Sequence, residues 1–167
     1  VIVIMVLTIV LIPRQSTELI RLMGMQSQYR RNSFRSPDGN HVLVAGNISV
    51  NSMKSFLLEL FHEDHANGIG AAIVLQDFDP ISGMDMLLDS YEHQVVYLAG
   101  RVLNYKDLAR AEAQKAEACV FLTNKNSKCS SEEDYKNILN ALSVKKYVYD
   151  TNKNTKDDDK HNCRIIM

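Results

Sequence analysis

Residues 62–65 read His62-Glu63-Asp64-His65, and two histidines three positions apart can share one face of a helix as zinc ligands do. A tetrahedral site needs further ligands, and no Cys or His stands nearby at motif spacing, so zinc binding by this pair has little support. Asp157-Asp158-Asp159 gathers charge but lacks the alternating acids, central glycine and terminal Glu of an EF-hand loop, and reads as a solvated run. No GxSxG, HExxH or Walker A pattern occurs, and Ser, His and Asp are too scattered to suggest a triad. An enzyme reading has little to stand on. HVLVAGNISV at 41–50 is more telling: an apolar run, a glycine, then a helix-like pattern, the order of a dinucleotide-binding unit. Such a unit needs a second glycine where backbone amides approach the pyrophosphate and a third for close helix packing. Those positions hold Ile48 and Asn51, and a branched side chain at Ile48 would fill the space of phosphate oxygens, so no nucleotide is expected. Asp77 follows the second apolar run, near where an acid would hold a ribose hydroxyl, but an Asp at a strand end is also an ordinary turn residue.

The elements that must position these residues alternate regularly. Apolar runs HVLVA (41–45), AIVL (72–75), VVYLA (95–99), ACVFLT (118–123) and CRIIM (163–167) are mostly continuous rather than alternating, as strands are when helices cover both faces of a parallel sheet. Between them the pattern predicts helices at about 50–63, 83–91, 105–115 and 131–147. In the first, Met53, Phe56, Leu57, Leu60 and Phe61 recur at helical spacing as a core-facing stripe. Asn104 with Asp107, and Ser131 with Asp134, resemble N-caps followed by an acid in the first turn. The fold class is therefore α/β, a doubly wound, Rossmann-like parallel sheet.

With 167 residues, 46% of them hydrophobic, the chain can bury the core of one domain with appendages. Nineteen basic against twenty acidic residues leave no global field to draw it to nucleic acid. Cys119, Cys129 and Cys163 form no CxxC pair and are odd in number, which argues against a disulfide scaffold and for a reducing compartment. Cys119, in an apolar run, reads as a small core residue. Residues 1–12, VIVIMVLTIVLI, are unbroken apolar but short of the roughly 20 residues that span a bilayer. A buried core helix or strand is one reading. The end of a membrane helix is preferred, because Arg14, Arg21, Arg30 and Arg31 follow it as cytoplasmic flanks do. Residues 14–40 pass from a short helical pattern to polar linker residues, and 151–162 form a charged, aperiodic loop. Because the last apolar strand reaches Met167 uncovered, continuation of the natural chain beyond it is expected.

GRVLNYKDLARAEAQKAEACVFLTNK at 100–125, VKKY at 144–147 and HVLVAGNISVNSMKSFLLELFHED at 41–64 resemble the first RCK domain of large-conductance calcium-activated potassium channels, the Slo family. The resemblance covers about residues 10–147 and the final strand, and RCK domains of these channels also lack the nucleotide-binding glycines. It implies residues 1–13 as the end of a pore-lining transmembrane helix, 14–40 as linker, and 41–167 as the RCK regulatory domain, truncated at its C-terminus. It further implies a multi-pass membrane channel subunit, this segment mainly cytoplasmic, forming a homotetramer whose RCK domains build a gating ring with a second RCK domain of the same subunit. Voltage gating belongs to the same family picture. Asp64 matches an acid of the family's calcium site and Glu59 a nearby acid in the preceding helix. Glu63 and Asp64 would end a helix, where the dipole disfavours negative charge and a bound cation would relieve it; the plain alternative is a solvated acidic surface. Remaining ligands would lie beyond Met167.

Three positions depart from the family. Two acids of its low-affinity divalent site fall on Ala71 and Val96, and an Asn that reaches a neighbouring domain's calcium is Lys146, where a positive charge would repel that ion. A sodium-activated member of the same family, a non-sensing RCK-like module and a soluble Rossmann-like nucleotide-binding oxidoreductase or sensor stand as alternatives to calcium gating.

Overall fold

The computed structural model describes residues 27–36, 40–62, 69–123, 129–153 and 163–166. The first apolar run and part of the linker, together with Asp64 and Asp157-Asp158-Asp159, lie outside the described residues. A four-residue helix α1, Gln28–Arg31, belongs to a separate N-terminal unit. The second unit, from Asn32 onward, contains β1 (His41–Gly46), α2 (Val50–Leu60), β2 (Ala71–Gln76), α3 (Met84–Ser90), β3 (Val95–Ala99), α4 (Tyr105–Arg110), β4 (Ala118–Leu122), α5 (Ser130–Lys153) and β5 (Arg164–Ile166). All five strands run parallel in the order β3-β2-β1-β4-β5. Strand order reverses beside β1, which makes the β1–β4 gap the switch point of a doubly wound sheet.

Alternation along each strand feeds two cores, because successive side chains point to opposite faces. Leu43, Ala45, Ile73, Leu75, Leu98, Cys119 and Phe121 pack with Leu108 of α4 and with Ala141, Val144 and Val148 of α5. The intervening Val42, Val44, Ala72, Val74 and Tyr97 are buried as well, as are Met53 and Leu57 of α2 and Met84 of α3. Both faces are thus covered, which is why the strands read as continuous apolar runs.

Helix boundaries differ from the sequence pattern in instructive ways. The run 105–115 does not stay helical: α4 stops at Arg110. Glu112 takes φ 47°, its N–H donates to the Ala109 carbonyl (3.1 Å) and the Ala113 N–H donates to the Leu108 carbonyl (3.0 Å). That bond pair is a Schellman ending, and Leu108 and Ala113 at its two apolar positions are both fully buried in the same core cluster. At the start of α4, Asn104 caps as expected, its side chain accepting from the Lys106 N–H at 3.1 Å. Ser131 is not a cap: α5 begins at Ser130, where the Glu133 N–H reaches back to the Cys129 carbonyl (3.4 Å). It also runs on to Lys153, since Tyr147 and Val148 are still buried against the sheet. The first long helix ends at Leu60, short of residue 63.

Candidate functional site

Three places bear on the residues singled out in the sequence: the crevice at the carboxyl end of the sheet, the end of α2, and the connector that enters the domain. Gly46 ends β1 with φ 102°, and a Cβ there would collide with the Leu122 carbonyl of β4, so only glycine fits. The Asn47 N–H donates to that same carbonyl (2.9 Å) and its side-chain amide to Glu133 of α5 (3.1 Å). Ile48 turns inward and is 4% exposed, while its carbonyl accepts from Gln76 (3.4 Å). Ser49 then caps α2, its hydroxyl accepting from the Ser52 N–H at 3.1 Å. An amide that would otherwise face an anion at the helix start is therefore already bonded. Beside this turn lies a cavity of about 440 Å³, lined among others by Asp77, Arg101, Lys136 and Asn140. Asp77 does not stand alone: its carboxylate is 3.9 Å from Arg101, both well exposed.

Glu59 sits on the exposed side of the last turn of α2. Its carbonyl accepts the His62 N–H at 3.3 Å, and the Phe61 N–H closes the helix on Leu57 at 3.0 Å. Phe61 stacks on Tyr91 at 6.0 Å between centroids, fixing the exit of α2 against the turn after α3. A carboxylate at this end faces the negative pole of the helix, which favours a cation nearby. Asp64 and His65 lie outside the described residues. Among the described residues, no group of three His, Cys, Asp or Glu is placed to hold a metal ion. Ala71 and Val96 pack on the apolar core, and Lys146 is exposed on α5.

The end of the linker read at 14–40 is anchored by contacts that the sequence did not predict. The Phe34 N–H donates to the Arg110 carbonyl (2.9 Å), Arg110 Nε donates to the Asn32 carbonyl (2.9 Å), and the Ser36 N–H donates to Glu112 Oε2 (2.9 Å). Arg110 also reaches Asp107 (2.8 Å) and the Ala99 carbonyl at the end of β3 (3.2 Å). Asp107 in turn accepts from the Arg101 N–H (3.0 Å) and the Asn104 side chain (2.9 Å). A Cβ on Gly100 would lie 2.6 Å from the Asp107 carboxyl carbon, so glycine is required for this approach. Phe34 packs edge-on to His41 at 4.9 Å between centroids. His41 is fully buried at the start of β1, and among the described residues neither ring nitrogen meets a partner in good hydrogen-bond geometry. Burial holds its pKa below the usual 6.5, while the nearby Ala111 and Glu112 carbonyls and the Glu112 carboxylate pull the other way. Residues 32–36 are thus tied to β1, to the end of β3 and to the end of α4 together.

The family described as the calcium-activated potassium channel slowpoke-like RCK domain matches residues 38–167. This chain belongs to that family. The RCK domain is 29% identical over 130 residues to the calcium-activated potassium channel slowpoke of Drosophila melanogaster, covering 78% of this chain and 11% of that protein. It therefore spans about a tenth of that relative's length. Among solved structures, the human SLO3 gating ring superposes with a TM-score of 0.50 at 27% identity, over 64% of this chain and 17% of that one. The parallel α/β architecture read from the sequence is that of this RCK fold. Asn104 and Asp107, read as a helix start, prove also to orient Arg110. The bonds from Arg110 and Glu112 to residues 32–36 left no local signal, because they join positions 76 to 78 apart.

Proposed function

We propose that the chain is a cytoplasmic, non-enzymatic RCK domain of a potassium channel subunit that couples cytosolic calcium to pore opening. The match to the slowpoke-like RCK family over residues 38–167 carries this reading. In it, residues 1–13 end a pore-lining transmembrane helix, 14–40 link it to the domain, and 41–167 form the regulatory domain. Asp64 and Glu59 contribute carboxylates to a calcium site completed by residues outside this chain. Such hard oxygen donors suit calcium. A ligand can open the pore only if it binds the open arrangement more tightly than the closed one, and the connector supplies a path for that preference. Movement of the sheet or of α4 must move residues 32–36, because Arg110, Glu112 and Phe34 bond or pack across that boundary.

Assembly as a homotetramer, with a second RCK domain of the same subunit completing a gating ring, is supported by an apolar stripe on the outer side of α5. Tyr135, Ile138, Leu142 and Tyr149 lie at helical spacing and are 49% to 67% exposed. A contiguous exposed patch of this kind marks an interaction surface. Neither a nucleotide nor a nucleic acid partner is part of the reading. Sodium activation is the second reading, favoured by Lys146 at a position where the family places an Asn near calcium. The deciding experiment expresses the full-length subunit and records potassium current in excised patches while calcium, then sodium, is stepped on the cytosolic side. Opening by calcium at fixed sodium is expected; opening by sodium alone selects the second reading, and a channel indifferent to both overturns each.

A further inference from the structure

The sulfurs of Cys119 and Cys163 lie 3.1 Å apart although 44 positions separate them in the chain. Cys119 is in β4, fully buried and paired in register with Ile165 of β5. Cys163 stands two residues before Ile165, so both thiols project from the α5 face of the sheet, where both join the apolar cluster. Closing the gap to a disulfide sulfur separation of about 2.05 Å needs roughly 1 Å of movement. The two thiols differ in access. Cys163 is part-exposed and lines a cavity of about 360 Å³ together with Lys145, Val148 and Tyr149, whereas Cys119 has no route to solvent of its own.

We propose that Cys119 and Cys163 are a redox pair, with Cys163 the attacking sulfur and Cys119 the resolving one, that closes reversibly on a low-molecular-weight disulfide such as oxidised glutathione. The Cys119 thiol beside it lowers the pKa of Cys163, while that hydrogen bond, with burial, raises that of Cys119. This is the asymmetry of a thiolate nucleophile held next to its resolving partner. In the first step Cys163 thiolate attacks one glutathione sulfur, the glutathione S–S bond breaks, and one glutathione thiolate leaves. In the second, Cys119 attacks the Cys163 sulfur, its proton passing to the second glutathione as that thiolate leaves. The two cysteines are oxidised by two electrons and one glutathione disulfide is reduced to two thiols. In a reducing compartment such a pair rests as thiols and closes only transiently. The bond would fasten β5, a strand of only three residues, to β4 and close a loop that contains all of α5. This device acts on the domain whatever ion gates the channel, so its test does not depend on calcium.

The reduced full-length chain is equilibrated in glutathione buffers of rising oxidised fraction, quenched in acid, alkylated with iodoacetamide and read by mass spectrometry. The expected result is that two of the three thiols within residues 1–167 escape alkylation and carry no glutathione adduct, and that one linked peptide pair joins Cys119 to Cys163. Dithiothreitol reverses it. Cys129→Ser retains the link, and Cys119→Ser holds Cys163 as a stable glutathione adduct. The proposal is overturned if, in the wild-type chain, Cys119 and Cys163 both stay open to alkylation after unfolding, if glutathione remains on Cys163, or if the link that forms involves Cys129.

Discussion

Removing the Arg110 side chain should loosen the connector and the end of α4 together. Its guanidinium is 21% exposed and faces an Asp107 carboxylate 14% exposed at 2.8 Å, so the pair is screened far less than a surface ion pair. Two further bonds, to the Asn32 and Ala99 carbonyls, depend on the same group. Hydrogen bonds to charged groups contribute about 1.5–3 kcal/mol each. Asp107 keeps the Arg101 N–H and the Asn104 amide and is not left unpaired, and Asn32 is open to water. The net loss for Arg110→Ala is therefore about 2–3 kcal/mol rather than the sum of three bonds. At about 2–4 °C per kcal/mol for a chain of this size, the melting midpoint should fall by roughly 5–10 °C. Arg110→Lys should recover only part, because an ammonium cannot reproduce the fork that reaches Asn32 and Asp107 at once. Chemical denaturation of the full chain gives the stability change, and amide hydrogen exchange locates it. Exchange at Phe34 and Ser36 should accelerate more than in β1 and β2. A double-mutant cycle with Asp107→Asn should show coupling of about 1 kcal/mol or more. A stability within about 0.5 kcal/mol of wild type, with unchanged exchange at Phe34, would refute the anchoring argument.

Gly46→Ala should cost about 2–4 kcal/mol, from the left-handed backbone and the collision with Leu122 together, and is read by denaturant titration. His41 is held neutral when folded but can protonate when unfolded. Stability is therefore fully present above pH 6.5 and falls below it by up to about 1.4 kcal/mol per pH unit until the folded-state ring itself titrates. A His41→Phe variant should flatten that slope in melting curves taken between pH 7 and about 5. Ile138→Glu with Leu142→Glu should leave the melting midpoint nearly unchanged, since both are exposed, and should lower the association state seen by light scattering of the full-length subunit.

Strands and their parallel pairing were legible because burial on two faces writes an uninterrupted apolar run, as at His41 to Ala45 and Val95 to Ala99. The α2 stripe was equally plain, with Met53 and Leu57 fully buried. The end of α4 was not. Ala111 to Ala116 are good helix formers by composition, and only tertiary contact stops the helix, by burying Ala111, Ala113 and Ala116 while Glu112 takes a left-handed backbone. The turn after β1 departs from the nucleotide pattern at its second and third glycine positions, which hold Ile48 and Asn51. Ile48, though, is drawn into the core rather than standing in the crevice. The connector anchors and the Cys119–Cys163 pair escaped sequence reasoning for one reason: each joins residues more than 40 positions apart, and neither leaves a periodic trace.

In the proposed reading calcium acts through the carboxylates of Glu59 and Asp64. The most direct measurement of this is the cytosolic calcium concentration for half-maximal opening of the full-length subunit, recorded for wild type and for Asp64→Asn. Losing one carboxylate ligand should shift that concentration upward by about tenfold, equivalent to about 1.4 kcal/mol of binding, while maximal current at saturating calcium persists. A dose–response curve superimposable on wild type would contradict it.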